Sequence, residues 1–233
     1  MIDWHSHVLP GIDDGSRNVA ESISMIQMQS SQEIKTVIAT PHFYANDESV
    51  DSFLKRREKA AERLKAQLPE DAPQILCGAE VRYYPGISHM EGLECLRIEG
   101  SKLLLLEMPE IGWTEYTVRE LIEMSGRSSL RIMLAHVERC MKLQKKAVWE
   151  ELQDYGILMQ ANASFFTDWR TRRKAISLLR EGSIQFVGSD GHNVTSRPPK
   201  IGEAFEVIRK KLGNDYISQI SEYGYSMLTT NIT

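Results

Sequence analysis

The feature that most constrains the fold is an alternation, along the whole chain, of short β-prone segments with longer amphipathic segments. No low-complexity stretch, internal repeat or Gly/Ser-rich linker interrupts it. Such alternation is typical of a parallel sheet flanked by helices, so we expect an α/β fold, with a barrel favoured over an open doubly wound sheet. The seven predicted strands are Ile2–His5, Thr36–Thr40, Gln74–Val81, Lys102–Glu107, Arg131–His136, Ile157–Ala161 and Ile184–Gly188.

The predicted helices carry recognisable start and stop signals. Asn18 and Glu21 form a box-like cap at the start of the first helix. Glycines follow four of the helices, as is typical of residues just beyond a helix end. The helices are Val19–Glu33, Val50–Leu68, Glu115–Met124, Lys145–Tyr155, Arg170–Glu181, Ile201–Leu212 and Tyr216–Tyr223. The four glycines are Gly156, Gly182, Gly213 and Gly224.

Length and composition indicate a globular chain. It has 233 residues, of which 42% are hydrophobic and 26% charged, which excludes a disordered or fibrous protein. We expect residues 1–233 to form one domain. A net charge of −4 argues against a nucleic-acid or anionic-membrane partner. The apolar run Leu103–Leu106 is far too short to span a membrane, and the start of the chain does not resemble a secretory signal.

The three cysteines are Cys77, Cys95 and Cys140. Their number is odd and no Cys-x-x-Cys pair occurs, which favours free thiols in a reducing cytoplasm over a disulfide framework or a zinc ribbon. A cysteine-dependent phosphatase needs an arginine six residues after its nucleophile, and none of the three cysteines has one. That mechanism is therefore excluded.

Metal-binding side chains cluster at the carboxyl ends of the predicted strands. Active sites of α/β barrels are built at that face, so these residues are expected to meet there. Residues two apart on an extended strand point to the same side, which lets His5 and His7 share a cavity, as Asp190 and His192 do. The set comprises His5, His7, His42, Glu80, Glu107, His136, Asp190 and His192.

This combination of side chains favours a site with more than one metal ion. Carboxylates that face one another repel unless a cation lies between them. Mixed imidazole and carboxylate ligands suit manganese, iron or zinc, and more than four ligands on one face suggest several ions. Cysteine is absent from the set, which argues against a structural zinc site.

Five sequence blocks resemble the bacterial manganese-dependent protein-tyrosine phosphatases of capsular and exopolysaccharide gene clusters, which belong to the polymerase-and-histidinol-phosphatase superfamily. The blocks are residues 1–15 (MIDWHSHVLPGIDDG), 39–42 (ATPH), 78–81 (GAEV), 135–139 (AHVER) and 189–193 (SDGHN), followed by Arg197. They occur in order from residue 1 to 197 and so span most of the chain.

The resemblance implies a distorted seven-stranded α/β barrel that binds two or three divalent metal ions. The family implies Mn²⁺, and Fe, Co and Zn are the alternatives. His5, His7, Glu80 and Asp190 would bind the first ion. Glu80 would bridge to a second ion held with Glu107 and His136, and Asp14, His42 and His192 would bind the third. Arg139 and Arg197 match phosphate-binding arginines of the family, and Asp13 is expected to orient a ligand.

The implied activity is hydrolysis of phosphotyrosine, on a cognate autophosphorylating tyrosine kinase, by attack of a metal-bound hydroxide without a phospho-enzyme. The acid that protonates the leaving tyrosinate is left open between metal coordination, an arginine and His42. Trp113, Tyr116 and the Phe165–Phe166 pair are candidates for contact with the substrate ring, or for packing. Alternatives are a histidinol-phosphate type of small-molecule phosphatase, an exonuclease-like module, which the acidic charge disfavours, and a non-catalytic regulatory protein.

Overall fold

The computed structural model describes residues 1–229, and a parallel sheet runs through them. Every strand pairing in this part of the chain is parallel, which confirms the predicted α/β fold. The strands are β1 (Ile2–Ser6), β2 (Thr36–Ala39), β3 (His42–Phe43), β4 (Gln74–Cys77), β5 (Glu80–Arg82), β6 (Leu103–Glu107), β7 (Arg131–Leu134), β8 (Leu158–Asn162) and β9 (Phe186–Gly188).

The sheet curls until its first and last strands meet. The strand order is β1-β2-β4 in one part and β3-β5-β6-β7-β8-β9 in the other. The His7 amide donates to the Gly191 carbonyl at 2.9 Å, and the Asp190 amide donates to the His5 carbonyl at 2.8 Å. These bonds join the end of β1 to the segment after β9. Residues that follow the first strand therefore lie next to residues that follow the last strand.

Two strands end just before the candidate metal-binding residues His42 and Glu80. The segment predicted as the continuous strand Gln74–Val81 breaks at Gly78. Its neighbour β2 ends at Ala39, close to the predicted end at Thr40, and the chain resumes after Pro41 as the short strand β3, which was not predicted. Pro41 has no amide hydrogen to donate to the ladder. At Gly78 the backbone approaches the side chain of Ile98 closely, because an added Cβ would lie 3.0 Å from Ile98 Cγ1. After the two breaks, His42 pairs in register with Glu80.

The helices pack on the outer face of the sheet, which buries a large apolar cluster between them. They are α1 (Val19–Ser31), α2 (Val50–Lys65), α3 (Glu115–Ser125), α4 (Lys146–Asp154), α5 (Ala163–Thr167), α6 (Arg172–Arg180), α7 (Ile201–Leu212) and α8 (Asn214–Leu228). The short α5 was not predicted, because its five residues lack a helical repeat long enough to detect. None of the helices in this part of the chain has both the length and the apolar character needed to cross a membrane.

The predicted stop at Gly224 is wrong. Helix α8 continues through it to Leu228. An added Cβ at Gly224 would lie 3.1 Å from Trp4 Cζ2 and 3.2 Å from Ile2 Cδ1, so the glycine allows the helix to approach β1 closely. The other three predicted glycines do follow helix ends, and all have positive φ angles. Helix termination and close packing are therefore two different reasons for a glycine at the same kind of position in the sequence.

The apolar residues inside the curl form a second core beneath the polar end of the strands. Along β6, Leu103 and Leu105 belong to this inner cluster, whereas Leu104 and Leu106 face the outer one. Met227 and Leu228 of α8 join the inner cluster. The polar side chains at the carboxyl ends of the strands therefore lie above an apolar floor.

The closeness of β9 to β1 predicts that Gly188→Ala is strongly destabilising. An added Cβ would lie 2.5 Å from His5 Cβ and 3.0 Å from the His5 amide nitrogen, so the strands must separate. We expect the free energy of unfolding in urea to fall by about 2–3 kcal/mol.

The matched control is Gly126→Ala. Gly126 has ordinary right-handed angles and its nearest contact would be a carbonyl oxygen at 3.4 Å, so we expect a change below about 0.5 kcal/mol. Equal unfolding midpoints for the two variants would contradict the close-approach argument.

Candidate metal centre

The structure brings together all nine residues predicted as metal ligands. Eight of them form three overlapping groups, and within each group the candidate ligand atoms all lie within 4.8 Å of one another. The ninth residue, His136, places Nε2 2.8 Å from Glu80 Oε1 and 3.6 Å from Glu107 Oε1. The three groups are His7, Asp14, His42 and His192; His5, His7 and Asp190; and His42, Glu80 and Glu107.

Glu80 lies at the centre of the cluster and is almost completely buried, with 1% of its surface exposed. Its Oε2 atom lies 3.2 Å from His5 Nε2, 3.3 Å from His7 Nε2 and 3.0 Å from His42 Nδ1. With His136 on Oε1, one carboxylate faces four imidazoles. This position between the other groups is the one expected of a bridging ligand.

The groups overlap more than the sets that the family resemblance implies, because His7 and His42 each approach two sets. His7 approaches both the first and the third set, because its ring centroid lies 3.8 Å from that of His192. His42 likewise faces Asp14 at 3.4 Å as well as Glu80. The assignment of individual residues to individual ions therefore stays a prediction.

The site passes a chemical test for divalent cations. His42 Nδ1, Glu80 Oε2 and His192 Nε2 are buried side-chain atoms without a hydrogen-bond partner, although polar atoms surround them. Buried polar atoms are normally paired, and a metal ion is a common reason why they are not. The donors are imidazole nitrogens and carboxylate oxygens with no thiolate, which suits manganese, iron or zinc.

The charges in the site depend on one another. Burial alone raises the pKa of Glu80, but His5, His136 and His42 outweigh it and hold the pKa well below its usual range. Burial alone lowers the pKa of His7, yet Asp13, Asp190 and Glu80 raise it well above the usual value. Without a cation the carboxylates thus favour the protonated forms of His5 and His7, and a metal ion at the centre would compete with those protons.

Asp13 supports the site from behind, as expected for a residue that orients a ligand. Its Oδ2 atom lies 2.7 Å from His7 Nδ1 and accepts a hydrogen bond from the His42 amide at 3.0 Å. Burial raises the pKa of Asp13, but the contact with His7 dominates and lowers it to about 2. The carboxylate fixes the His7 ring with Nε2 towards Glu80.

Asp190 presents a different partner to each of its two oxygens. Oδ1 faces the imidazoles, 3.5 Å from His7 Nε2. Oδ2 faces the two predicted arginines, 2.6 Å from Arg139 Nη2 and 2.9 Å from Arg197 Nη2, and accepts from Asn162 Nδ2 at 2.9 Å. The predicted phosphate-binding residues therefore lie beside the ligand cluster.

Sequence reasoning missed two polar residues on β8. Gln160 Oε1 accepts from the His136 amide at 2.8 Å and lies 3.2 Å from His5 Nδ1, and its amide group donates to Asn162 at 3.0 Å. The two residues stand two apart at the end of a buried strand, the same spacing that pointed to His5 and His7. A search for polar residues of every type, and not only metal ligands, would have found them.

Two site residues have strained backbone conformations. His136 has φ of 29° and Asp190 has φ of 52°, both in the left-handed region that disfavours residues with a Cβ. Each lies two residues after the end of its strand. Such strain persists where surrounding contacts determine the conformation, and it is concentrated at functional sites.

A cavity of about 460 Å³ opens above the cluster. Besides predicted residues it is lined by Arg82 and Tyr44, which sequence reasoning missed. Arg82 Nη1 lies 2.9 Å from Glu107 Oε2. The Tyr44 ring stacks on His42 with centroids 5.4 Å apart. Arg82 lies on the strand of the candidate ligand Glu80, and Tyr44 follows the strand of the candidate ligand His42, so their positions on the sheet could have indicated them.

The four aromatic residues considered for substrate contact do not line this cavity. Phe165 and Phe166 are buried in the outer core. Trp113 packs edge to face with Trp149, and Tyr116 is exposed elsewhere. Their interpretation as packing or surface residues is therefore the one that the structure supports.

Comparisons with known proteins agree with this geometry. Residues 1–227 match a family model described as capsular polysaccharide synthesis, CpsB/CapC. The chain is 30% identical over 232 residues to the tyrosine-protein phosphatase YwqE of Bacillus subtilis, covering 95% of this chain and 89% of that protein. It is 28% identical over 235 residues to the tyrosine-protein phosphatase CpsB of Streptococcus agalactiae, covering 94% of each.

A solved structure gives the same likeness in three dimensions. It comes from work on YwqE from Bacillus subtilis and CpsB from Streptococcus pneumoniae, described as unique metal-dependent tyrosine phosphatases. The TM-score is 0.84 at 25% sequence identity, over 100% of this chain and 96% of that one.

The contacts of Asp13 predict that Asp13→Ala weakens metal binding without removing a ligand from the cluster. Loss of a carboxylate that orients a metal-binding histidine typically costs about 10–100-fold in affinity. We expect a loss of this size for Mn²⁺ in a titration followed by calorimetry.

Asp71→Ala is the control, since it removes the same charge at an exposed position outside the cluster. An Asp13→Ala protein that binds Mn²⁺ as tightly as the control would show that His7 is held in place by other contacts.

Proposed function

The chain belongs to the CpsB/CapC family of capsular polysaccharide synthesis, and we propose that it is a metal-dependent tyrosine-protein phosphatase. The observation that carries this proposal is the convergence, in one cavity, of buried imidazoles and carboxylates with Arg139 and Arg197. The near full-length likeness to tyrosine-protein phosphatases supports the same reaction.

The ligand set named from the sequence is proposed for two or three divalent ions, with Mn²⁺ as the ion that the family implies. When bound, such ions would neutralise phosphoryl charge and lower the pKa of a water molecule towards neutrality. The residues proposed to hold them are His5, His7, Asp14, His42, Glu80, Glu107, His136, Asp190 and His192.

Arg139 and Arg197 are proposed to bind the phosphoryl oxygens. Their guanidinium groups already meet at one carboxylate oxygen, 2.6 and 2.9 Å from Asp190 Oδ2. Guanidinium groups bind phosphate and carboxylate with the same fork of N–H donors, so a phosphoryl group is a suitable competitor for them. The side chains are about one-third and two-fifths exposed, which leaves them accessible from the cavity.

Side chains behind the proposed ligands hold two of the imidazoles by their Nδ1 atoms. Asp13 takes the Nδ1 side of His7, and the Gln160 side chain takes the Nδ1 side of His5. Each contact leaves Nε2 facing the centre. Three candidates would stabilise or protonate the leaving tyrosinate oxygen, namely metal coordination, an arginine of the cavity and His42.

The finer assignments belong to the same proposal. The curled sheet would correspond to the distorted seven-stranded barrel of the polymerase-and-histidinol-phosphatase type, with one domain over residues 1–233. The contacts between the end of β1 and the segment after β9 support a closed arrangement. The protein substrate would be a cognate tyrosine autokinase, in keeping with the role of the family in capsular polysaccharide synthesis.

The proposal predicts that activity depends on added metal and on His136. Metal-stripped protein should be inactive towards a phosphotyrosine peptide and regain activity with Mn²⁺. His136→Ala should lose more than about 100-fold in kcat/KM, since removal of a ligand exceeds the usual cost of removing its supporting contact.

His89→Ala is the matched control, because His89 is exposed and lies outside the three ligand groups. Histidinol phosphate is assayed in parallel with the peptide. Preference for histidinol phosphate would overturn the tyrosine phosphatase in favour of a small-molecule phosphatase. Inactivity on both substrates with every divalent metal would favour a regulatory role.

Tyr44 provides a second test, of selection for an aromatic substrate. Its ring is 39% exposed at the cavity and is available to pack against a phosphotyrosine ring. Loss of an aromatic pair costs about 0.5–1.5 kcal/mol, so Tyr44→Ala should raise KM for an aryl phosphate about 2- to 12-fold.

KM for an alkyl phosphate should not change, and Tyr44→Phe should retain the parental value. Tyr116→Ala removes an exposed tyrosine that does not line the cavity. Equal effects on aryl and alkyl substrates would contradict a role in ring recognition.

A further inference from the structure

A second concave surface lies along α6, and we call it the basic groove. Its volume is about 920 Å³, and no acidic side chain lines it. Helix α6 contributes four of its six basic residues, the segment just before α6 contributes a fifth and the end of α7 contributes the sixth. They are Arg170, Arg172, Arg173, Lys174, Arg180 and Lys211.

The part of the chain that the structure describes supplies no counter-ion to these cations. Within residues 1–229, none of the six lies within 4.0 Å of a carboxylate oxygen, whereas Lys200 and Arg209 of the neighbouring α7 segment are paired with glutamates. Arg172 donates to the carbonyls of Phe166 and Thr167, and the other five are exposed. A chain with a net charge of −4 thus keeps an uncompensated positive surface at one place.

The electrostatic consequence is attraction of an anionic partner. Like charges that are close together repel, so the arrangement costs free energy in the absence of a ligand. A cleft lined by one sign of charge focuses the field and raises the local concentration of the opposite charge. Four of the six cations are arginines, whose forked donors suit carboxylates and phosphates.

Trp169 adds an aromatic contact at the start of the groove. Its side chain is 77% exposed, and the Arg170 guanidinium lies 5.2 Å from its ring centroid. Tryptophan and arginine are the residue types most often responsible for binding energy in protein interfaces. An exposed tryptophan beside unpaired arginines therefore indicates a recognition surface for a protein segment.

The groove is next to the elements that carry the metal centre. Helix α5 begins directly after Asn162, which donates to Asp190, and packs against both α6 and α7. Helix α7 begins four residues after Arg197. A protein chain bound at the cavity would reach α6 by way of α5, and the nine residues of α6 span roughly 14 Å, enough for about four extended residues.

The shape of the surface favours a peptide over a membrane. A bilayer contacts protruding side chains, whereas these charges line a concave groove. Interfacial helices also insert an apolar face, but the apolar residues Ala175, Ile176 and Leu179 of α6 are buried against the protein.

We propose that the basic groove binds an extended acidic segment of the phosphoprotein substrate, one that carries carboxylates or further phosphates beside the phosphotyrosine. This proposal rests on the proposed phosphatase activity and adds a determinant of substrate choice to it. Arginine clusters are a recurrent means of recognising phosphorylated and acidic motifs.

The test compares two phosphotyrosine peptides that differ only in four flanking residues, either all glutamate or all glutamine, placed on each side in turn. At low salt we expect the parental protein to favour a glutamate peptide about tenfold in kcat/KM, and to lose this preference at high salt. Arg170→Glu/Arg173→Glu/Lys174→Glu should abolish the preference and leave kcat/KM for free phosphotyrosine unchanged.

The matched control is Lys55→Glu/Lys59→Glu/Arg63→Glu on α2, which changes the net charge equally at exposed positions without ion pairs. It should retain the preference. Equal kcat/KM for the two peptides with parental protein, or equal losses in both triple variants, would overturn the proposal.

A binding measurement separates this proposal from the phosphatase activity. Fluorescence anisotropy of a labelled, unphosphorylated glutamate peptide reports the groove even if the protein hydrolyses nothing. We expect binding to the parental protein and to the α2 variant, and at least tenfold weaker binding to the groove variant. Binding of phosphatidylserine vesicles or of single-stranded RNA through the groove, without binding of the peptide, would also overturn the proposal.

Discussion

The burial of Glu80 among four imidazoles is the constraint on which the rest of the structure depends. A carboxylate with 1% exposure is costly to hold unless positive charge or hydrogen bonds surround it. His5, His42 and His136 come from different strands, so they reach it only because the sheet curls. The apolar cluster beneath excludes water from one side, which strengthens each electrostatic contact at the centre.

Curling alone does not direct the side chains, and local distortions of the strands complete the arrangement. The breaks at Pro41 and Gly78 precede His42 and Glu80, and both strands resume with these residues in register. His136 and Asp190 turn into the left-handed region two residues after their strands end. Residues that keep regular strand geometry, such as the leucines of β6, pack in the two apolar clusters. Irregular backbone is therefore concentrated where polar atoms converge, as expected when a site is held in place by its surroundings.

Sequence reasoning recovered what depends on local pattern. Strand positions follow from short apolar runs. A residue of a metal-binding type at the end of such a run is expected at the carboxyl edge of the sheet, which is why His42 and Glu107 were predicted to lie in the site. Residues whose role depends on a neighbouring strand were missed. Gln160 matters because it faces His5 and the His136 amide, and nothing in its own segment indicates those partners. Gly224 was misinterpreted for the same reason, since its contact with Trp4 comes from the other end of the chain.

Asp190 lies between the proposed metal ligands and the two arginines proposed to bind phosphate. One of its oxygens faces His5 and His7, and the other accepts hydrogen bonds from Arg139 and Asn162. Burial raises the pKa of this carboxyl, but His5 and His7 outweigh it and hold the pKa well below its usual range. In the proposed phosphatase, a phosphoryl group that drew Arg139 and Arg197 away from Oδ2 would remove positive charge from Asp190 on that side. The carboxylate would then interact more strongly with cations on its Oδ1 side, so that binding of phosphate and of metal would reinforce each other through one residue.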